Sequence, residues 1–118
     1  MKNMRIHLGS VEQIPLGQGR CFLVGIHEVA VFRGRDGRLF ATENRCPHRG
    51  GPLAEGIIGW AQVVCPLHGH KFNLITGEGS EPHECVRRFK VWEENENIVI
   101  LFTFPSARAA VNNCAAIH

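Results

Sequence analysis

Short apolar runs broken by Gly, Pro and Asp-Gly signals predict an all-β chain, an antiparallel β-sandwich or open barrel with a metal-binding subdomain inserted into it. Two further observations carry this reading. No stretch of the 118 residues sustains a 3.6-residue apolar period. The texture also changes between residues 44 and 80, where more than half of the thirteen glycines and two Cys/His segments fall. A chain of this length has room for one modest core. The expected layout is one domain over residues 1–104, a metal-binding subdomain over about 44–80, and a tail over 105–118.

The elements follow in order. Arg5 to Leu8 reads as a first strand with Ile6 and Leu8 on one face, and Val11 to Ile14 before Pro15 as one helical turn. Arg20 to Val24 and Glu28 to Arg33 are strands, and Asp36-Gly37 turns the chain into another over Arg38 to Thr42. Within the Gly-rich middle only Ala61–Val64 and Lys71–Leu74 look extended, the latter closed by Thr76-Gly77. Two strands return over Arg87 to Trp92 and Ile98 to Phe104, joined by the polar turn 93–97. The last is apolar on both parities, which predicts burial on both faces. Pro105 ends it, and the Ala- and Asn-rich tail is expected to be a frayed extension or short helix.

Composition excludes several classes. The net charge is +2 with no Lys/Arg run, which argues against nucleic acid as a partner. The longest strongly apolar stretch, Ile98 to Phe104, is far below the roughly 20 residues that cross a bilayer, and no leader pattern opens the chain. A cytoplasmic protein with no membrane partner is the expectation. Outside the two motif cysteines, Cys21, Cys85 and Cys114 read as free thiols, not as a disulfide framework.

Cys46-Pro47-His48 and Cys65-Pro66-Leu67-His68, with sixteen residues between them, each offer one thiolate and one imidazole. Such a set could hold a single tetrahedral zinc as a structural staple. It equally meets the needs of a [2Fe–2S] centre in which two cysteines bind one iron and two histidines the other. Gly50, Gly51 and Gly69 follow the histidines and allow backbone N–H groups to come close, while Pro47 and Pro66 stiffen the loops. A mononuclear iron site of two histidines and a carboxylate is not expected, because His7, His27, His70, His83 and His118 are scattered.

With its two prolines, following glycines and β-rich frame, the chain from about Arg5 to Phe104 resembles the Rieske [2Fe–2S] family. The resemblance implies one Rieske-type cluster per chain, with Cys46, His48, Cys65 and His68 as ligands and the two histidines as the electron's exit. It also implies an electron-transfer component of an oxidoreductase, with no substrate-transforming site on this chain. High-potential members carry a disulfide at the positions of Gly51 and Leu67, and serine and tyrosine hydroxyls at those of His70 and Phe72. Their absence implies a low potential, near about −150 mV, since hydroxyl donors stabilise the reduced cluster.

Among low-potential types, Val29 to Arg33 with Asp36-Gly37, Cys46 to Leu53, Leu67, and Cys85 to Val91 are more similar to the small subunit of assimilatory NAD(P)H nitrite reductase. The partner would then be a large subunit that carries, in that family, flavin, siroheme and a [4Fe–4S] cluster. The alternative is a free-standing ferredoxin serving the reductase and oxygenase pair of a ring-hydroxylating dioxygenase.

Other residues have paired readings. His70 either tunes the centre or is a strand spectator. Trp60 and Trp92 are expected to pack in the core or at an edge, not to carry electrons. The segment 79–83 is either a cover over the cluster, as the family's proline-bearing loop implies, or an ordinary turn. Arg45 and Arg49 either steer an acidic partner or are solvated. Cys85 is expected to pack as a small apolar group, and Arg87-Arg88 to be a solvated pair.

Overall fold

A computed structural model describes residues 2–46, 51–67, 69–81 and 84–104. It is built almost wholly from strands: β1 (Lys2–Ser10), β2 (Gln18–Val24), β3 (His27–Arg33), β4 (Leu39–Glu43), β5 (Ile57–Gly59), β6 (Gln62–Val64), β7 (Lys71–Asn73), β8 (Arg88–Glu94) and β9 (Asn97–Phe104). The expected helical turn is a 3-10 turn at Val11–Gln13, capped by the Ser10 hydroxyl accepting from the Glu12 N–H. A second lies at Leu53–Glu55.

Six strands form one antiparallel sheet in the order β1-β9-β8-β4-β3-β2, curled into a half-barrel, and β5-β6-β7 form a small second sheet. The strand β5 is absent from the sequence reading. Its Ile57-Ile58-Gly59 is too short to show alternation and acquires its conformation by pairing with β6. The turn that joins them places Trp60 and Ala61 at φ +32° and +56°. Trp60 is 97% exposed there, so the packing expected of it does not occur. Pairing of Gly59 with Gln62 leaves residues 60 and 61 as the turn whatever their size. Trp92 is half-buried on the inner strand β8, donating its indole N–H to Glu94, with Arg5 over its ring.

Strand β3 explains how the two sheets are joined. Val29 and Val31 face one cluster with Val11, Ile14, Ala41, Ile98, Ile100 and Phe102, inside the curl of the large sheet. Ala30 and Phe32 face a second cluster with Leu53, Ile58, Val63, Phe72, Val86 and both Cys46 and Cys65. Its continuous apolar run is therefore buried on both sides, as is β9 from Ile98 to Ile100.

The chain enters the small sheet's region after β4 and returns before β8, so residues 43 and 87 form its neck. The Glu43 N–H donates to the Arg87 carbonyl at 2.9 Å, and the Arg87 N–H donates to Glu43 Oε1 at 3.2 Å. Arg87 is 6% exposed, with its guanidinium 4.8 Å from the Phe89 ring centroid. This corrects the expectation of a solvated Arg87-Arg88 pair: Arg88 is exposed, but Arg87 is drawn in by Glu43 and Phe89. Cys85 is buried as expected but is disulfide-bonded, whereas Cys21 is free. The tail, with Cys114, lies outside the described residues.

Burial pushes the Glu43 carboxyl up, outweighing the opposing pull of the Arg87 amide and guanidinium. The folded chain then holds this proton more tightly than the unfolded chain. The contribution is fully present below the ordinary carboxylate value and lost as pH rises through the folded value. In thermal melts, the Tm of Glu43→Gln relative to wild type is expected to fall steadily as pH drops from 8 to 4. A pH-independent difference would contradict this. Glu43→Ala, which leaves the Arg87 amide without its acceptor, is expected to cost about 1–3 kcal/mol.

Candidate metal centre

Each motif cysteine stands at the start of a loop closed in the same way. The Cys46 N–H donates to the Gly51 carbonyl at 2.8 Å, and the Cys65 N–H to the His70 carbonyl at 2.7 Å. Both loops therefore span six residues from cysteine to acceptor. Beneath the first, Arg45 bridges Pro52, and the Leu53 N–H donates to the Asn44 carbonyl at 2.8 Å. In the second, the Gly69 N–H donates back to the Cys65 carbonyl at 3.0 Å before β7 begins.

Asn44 anchors the first loop. Buried to 4% exposure, it accepts from the Ala54 N–H at 2.9 Å and donates its side-chain amide to Glu28 Oε1 at 3.0 Å. Its own N–H donates to the Glu28 carbonyl at 3.1 Å, so the loop is tied to β3 through backbone and side chain together. A buried amide with its groups satisfied in this way fixes position because any shift would orphan them. Nothing in the sequence singles Asn44 out; its role arises only when β3 is beside it.

Cys46 and Cys65 are each 2% exposed, and neither is joined in a disulfide. The two loops face each other: a Cβ added at Gly51 would lie 2.9 Å from Leu67 Cγ and Cδ1 and 3.0 Å from Cys65 Sγ. The glycine thus makes space for the opposite loop's sulfur and for Leu67. Leu67 and Gly51 are neighbours, as the resemblance implies, and carry no sulfur. Phe72 is fully buried and offers no hydroxyl.

His48 and His68, with Pro47, Arg49, Gly50, Pro82 and His83, lie outside the described residues. Among the described residues no three Cys, His, Asp or Glu side chains gather as a metal site. The donor set nonetheless fits a group taking two thiolates: two buried sulfur positions, at matched places on facing loops, with a glycine clearing the gap between them.

A third segment packs against the second loop. Gly79 bridges Phe72, Glu78 bridges Cys85, and the Ser80 N–H donates to the Lys71 carbonyl at 2.8 Å. His70, left open between tuner and spectator, has its Nδ1 2.8 Å from Glu84 Oε1. Arg45 is exposed.

A family model for the Rieske [2Fe–2S] domain matches residues 4–105. Apoptosis-inducing factor 3 of Mus musculus is 32% identical over 94 residues, which is 78% of this chain and 14% of that protein. The chain thus spans only a small part of that relative's length. The biphenyl dioxygenase ferredoxin subunit of Pseudomonas sp. (strain KKS102) is 30% identical over 97 residues, 80% of this chain and 88% of that one. A proposed NADH-dependent nitrite reductase small subunit from Mycobacterium tuberculosis superposes with a TM-score of 0.80 at 22% identity, covering 87% of this chain and 98% of that one. This last likeness is one of fold. No helix among the described residues is long and apolar enough to cross a membrane.

The closeness at Gly51 has a measurable consequence. Gly51→Ala is expected to force the loops apart, with an overpacking cost of about 1–3 kcal/mol, and to lower the iron and visible absorbance retained per chain. Adding Leu67→Ala should recover only part of the loss, because the contact with Cys65 Sγ remains. Full retention in the single variant would show that the loops do not approach as described.

Proposed function

The chain belongs to the Rieske [2Fe–2S] domain family, and from that premise we propose that Cys46 and Cys65 bind one iron of its cluster while His48 and His68 bind the other. The observation that carries this reading is the pair of facing, identically closed loops, each headed by a buried cysteine. Rieske-type electron transfer is the chain's chemistry, and a [2Fe–2S] cluster is its cofactor. When bound, such a group takes up and releases one electron.

The protein's own part is positional. The two backbone closures and the Asn44 contacts hold the thiolates still, and the surrounding core excludes water from them. Imidazole ligands replace two negative ones, which places the potential above that of all-cysteine clusters. With Gly51 and Leu67 in place of cysteines and Phe72 without a hydroxyl, it should stay at the low end of the Rieske range. The single domain is taken to cover residues 1–104, in a cytoplasmic protein that meets a redox partner and neither nucleic acid nor membrane.

For the partner, the stretches Val29 to Arg33, Cys46 to Leu53 and Cys85 to Val91 support the small subunit of an assimilatory nitrite reductase. A second reading, a ferredoxin feeding a ring-hydroxylating dioxygenase, is supported by the length-matched biphenyl dioxygenase ferredoxin relative.

Redox titration of the loaded protein is expected to give a midpoint near about −150 mV, and His48→Cys or His68→Cys, if loaded, to move it toward about −400 mV. A clearly positive midpoint in the wild type would refute the low-potential reading. For the partner, affinity purification from the native host should recover a large flavin- and siroheme-containing chain. Recovery of an oxygenase or its reductase instead would favour the ferredoxin role.

A further inference from the structure

The second ligand loop is not held by its own closure alone. The segment after β7 folds back and is laced to it by the Ser80 N–H on the Lys71 carbonyl at 2.8 Å and the Lys71 N–H on Ser80 Oγ at 3.1 Å. At the end of this segment the Glu84 carboxylate meets the imidazole of His70, with Oε1 and Nδ1 2.8 Å apart and side chains only 15% and 18% exposed. His70 is the residue whose carbonyl accepts the Cys65 N–H.

Glu84 is itself held firmly. Its carbonyl accepts from the Gly79 N–H at 2.8 Å, and its N–H donates to the Glu81 carbonyl at 3.2 Å. A Cβ at residue 79 would meet Glu84 Cβ at 2.8 Å and Phe72 Cε1 at 2.9 Å, so glycine there lets Glu84 lie close over Phe72. A carboxylate mostly removed from water sits one residue contact from the closure of the second ligand loop.

We propose that Glu84 is a positioning residue for the redox centre: acting through His70, it fastens the second ligand loop to the 78–85 hairpin and keeps a negative charge against that loop. The inference rests on the assignment of Cys65 and His68 to the cluster. Electron uptake adds one unit of negative charge beside the loop, and a fixed carboxylate in a poorly screened place opposes it. The hairpin thereby lowers the potential, in addition to what the missing hydroxyl donors do. The imidazole of His70 shields that charge in part by donating to it.

The two partners therefore have opposite expected effects, which a merely structural strap would not produce. In the full-length loaded protein at a fixed applied potential, Glu84→Gln is expected to raise the ratio of reduced to oxidised cluster at least threefold; tenfold would correspond to about 59 mV for one electron. His70→Gln, which leaves the carboxylate without its imidazole, is expected to lower that ratio. Both are read by electrochemical titration followed through the visible spectrum. An unchanged or lowered ratio in Glu84→Gln overturns the proposal, as does a raised ratio in His70→Gln. If Glu84→Gln fails to retain iron, the sign of the His70→Gln shift decides alone. A wild-type protein without a two-histidine, two-cysteine cluster spectrum would instead refute the ligand assignment, independently of either variant.

Discussion

The site depends on two backbone hydrogen bonds, from the N–H of Cys46 to the carbonyl of Gly51 and from the N–H of Cys65 to that of His70. Each fixes where its loop begins and returns, and so fixes the direction in which its cysteine leaves the backbone. The residue after each cysteine is proline, which has no N–H to satisfy, and that suits a tight turn away from any ladder. Because the loops arise from β4 and β6, on different sheets, their approach is set by the core between those sheets. Gly51 completes the arrangement by leaving room where a side chain would strike Cys65 Sγ.

That core is continuous with the rest of the fold through β3. Its residues alternate between the inside of the half-barrel and the small sheet, so neither cluster can shift without disturbing the other. Polar groups at the neck add direction to this apolar packing. The reciprocal Glu43–Arg87 contacts and those of Asn44 with β3 are half-buried or buried, and loss of either would leave groups short of partners in poorly solvated surroundings. A centre that changes charge by one unit gains from such a shell, because ligands already held in position need little rearrangement.

The same logic separates the two sides of the ligand region. The first loop is anchored inward, by Asn44 to β3, through neutral amide contacts and the Glu28 side chain. The second is braced outward, by the 78–85 hairpin, and there the brace carries charge. One loop is therefore fixed by the scaffold, while the other is fixed by a segment whose electrostatics can be altered without touching the large sheet.

The sequence by itself determined the all-β class and most of the strand positions, and it marked out the four residues proposed as ligands. These depend on local signals: alternation, turn residues, and a Cys/His spacing that few chemistries share. It also carried the absence of sulfur at residues 51 and 67 and of a hydroxyl at 72. Only the tertiary structure decided that Asn44 is a hub, that Arg87 is buried, that Trp60 is not, and that His70 meets Glu84. Each of these is a relation between residues far apart in the chain, and a polar side chain shows no local sign of which distant group will satisfy it. Strand β5 was missed for a related reason: three residues cannot display a period, and their extended form comes from the neighbour they pair with. Local periodicity reveals which residues must be inside, but the partner of a buried polar group is chosen only when the sheets close.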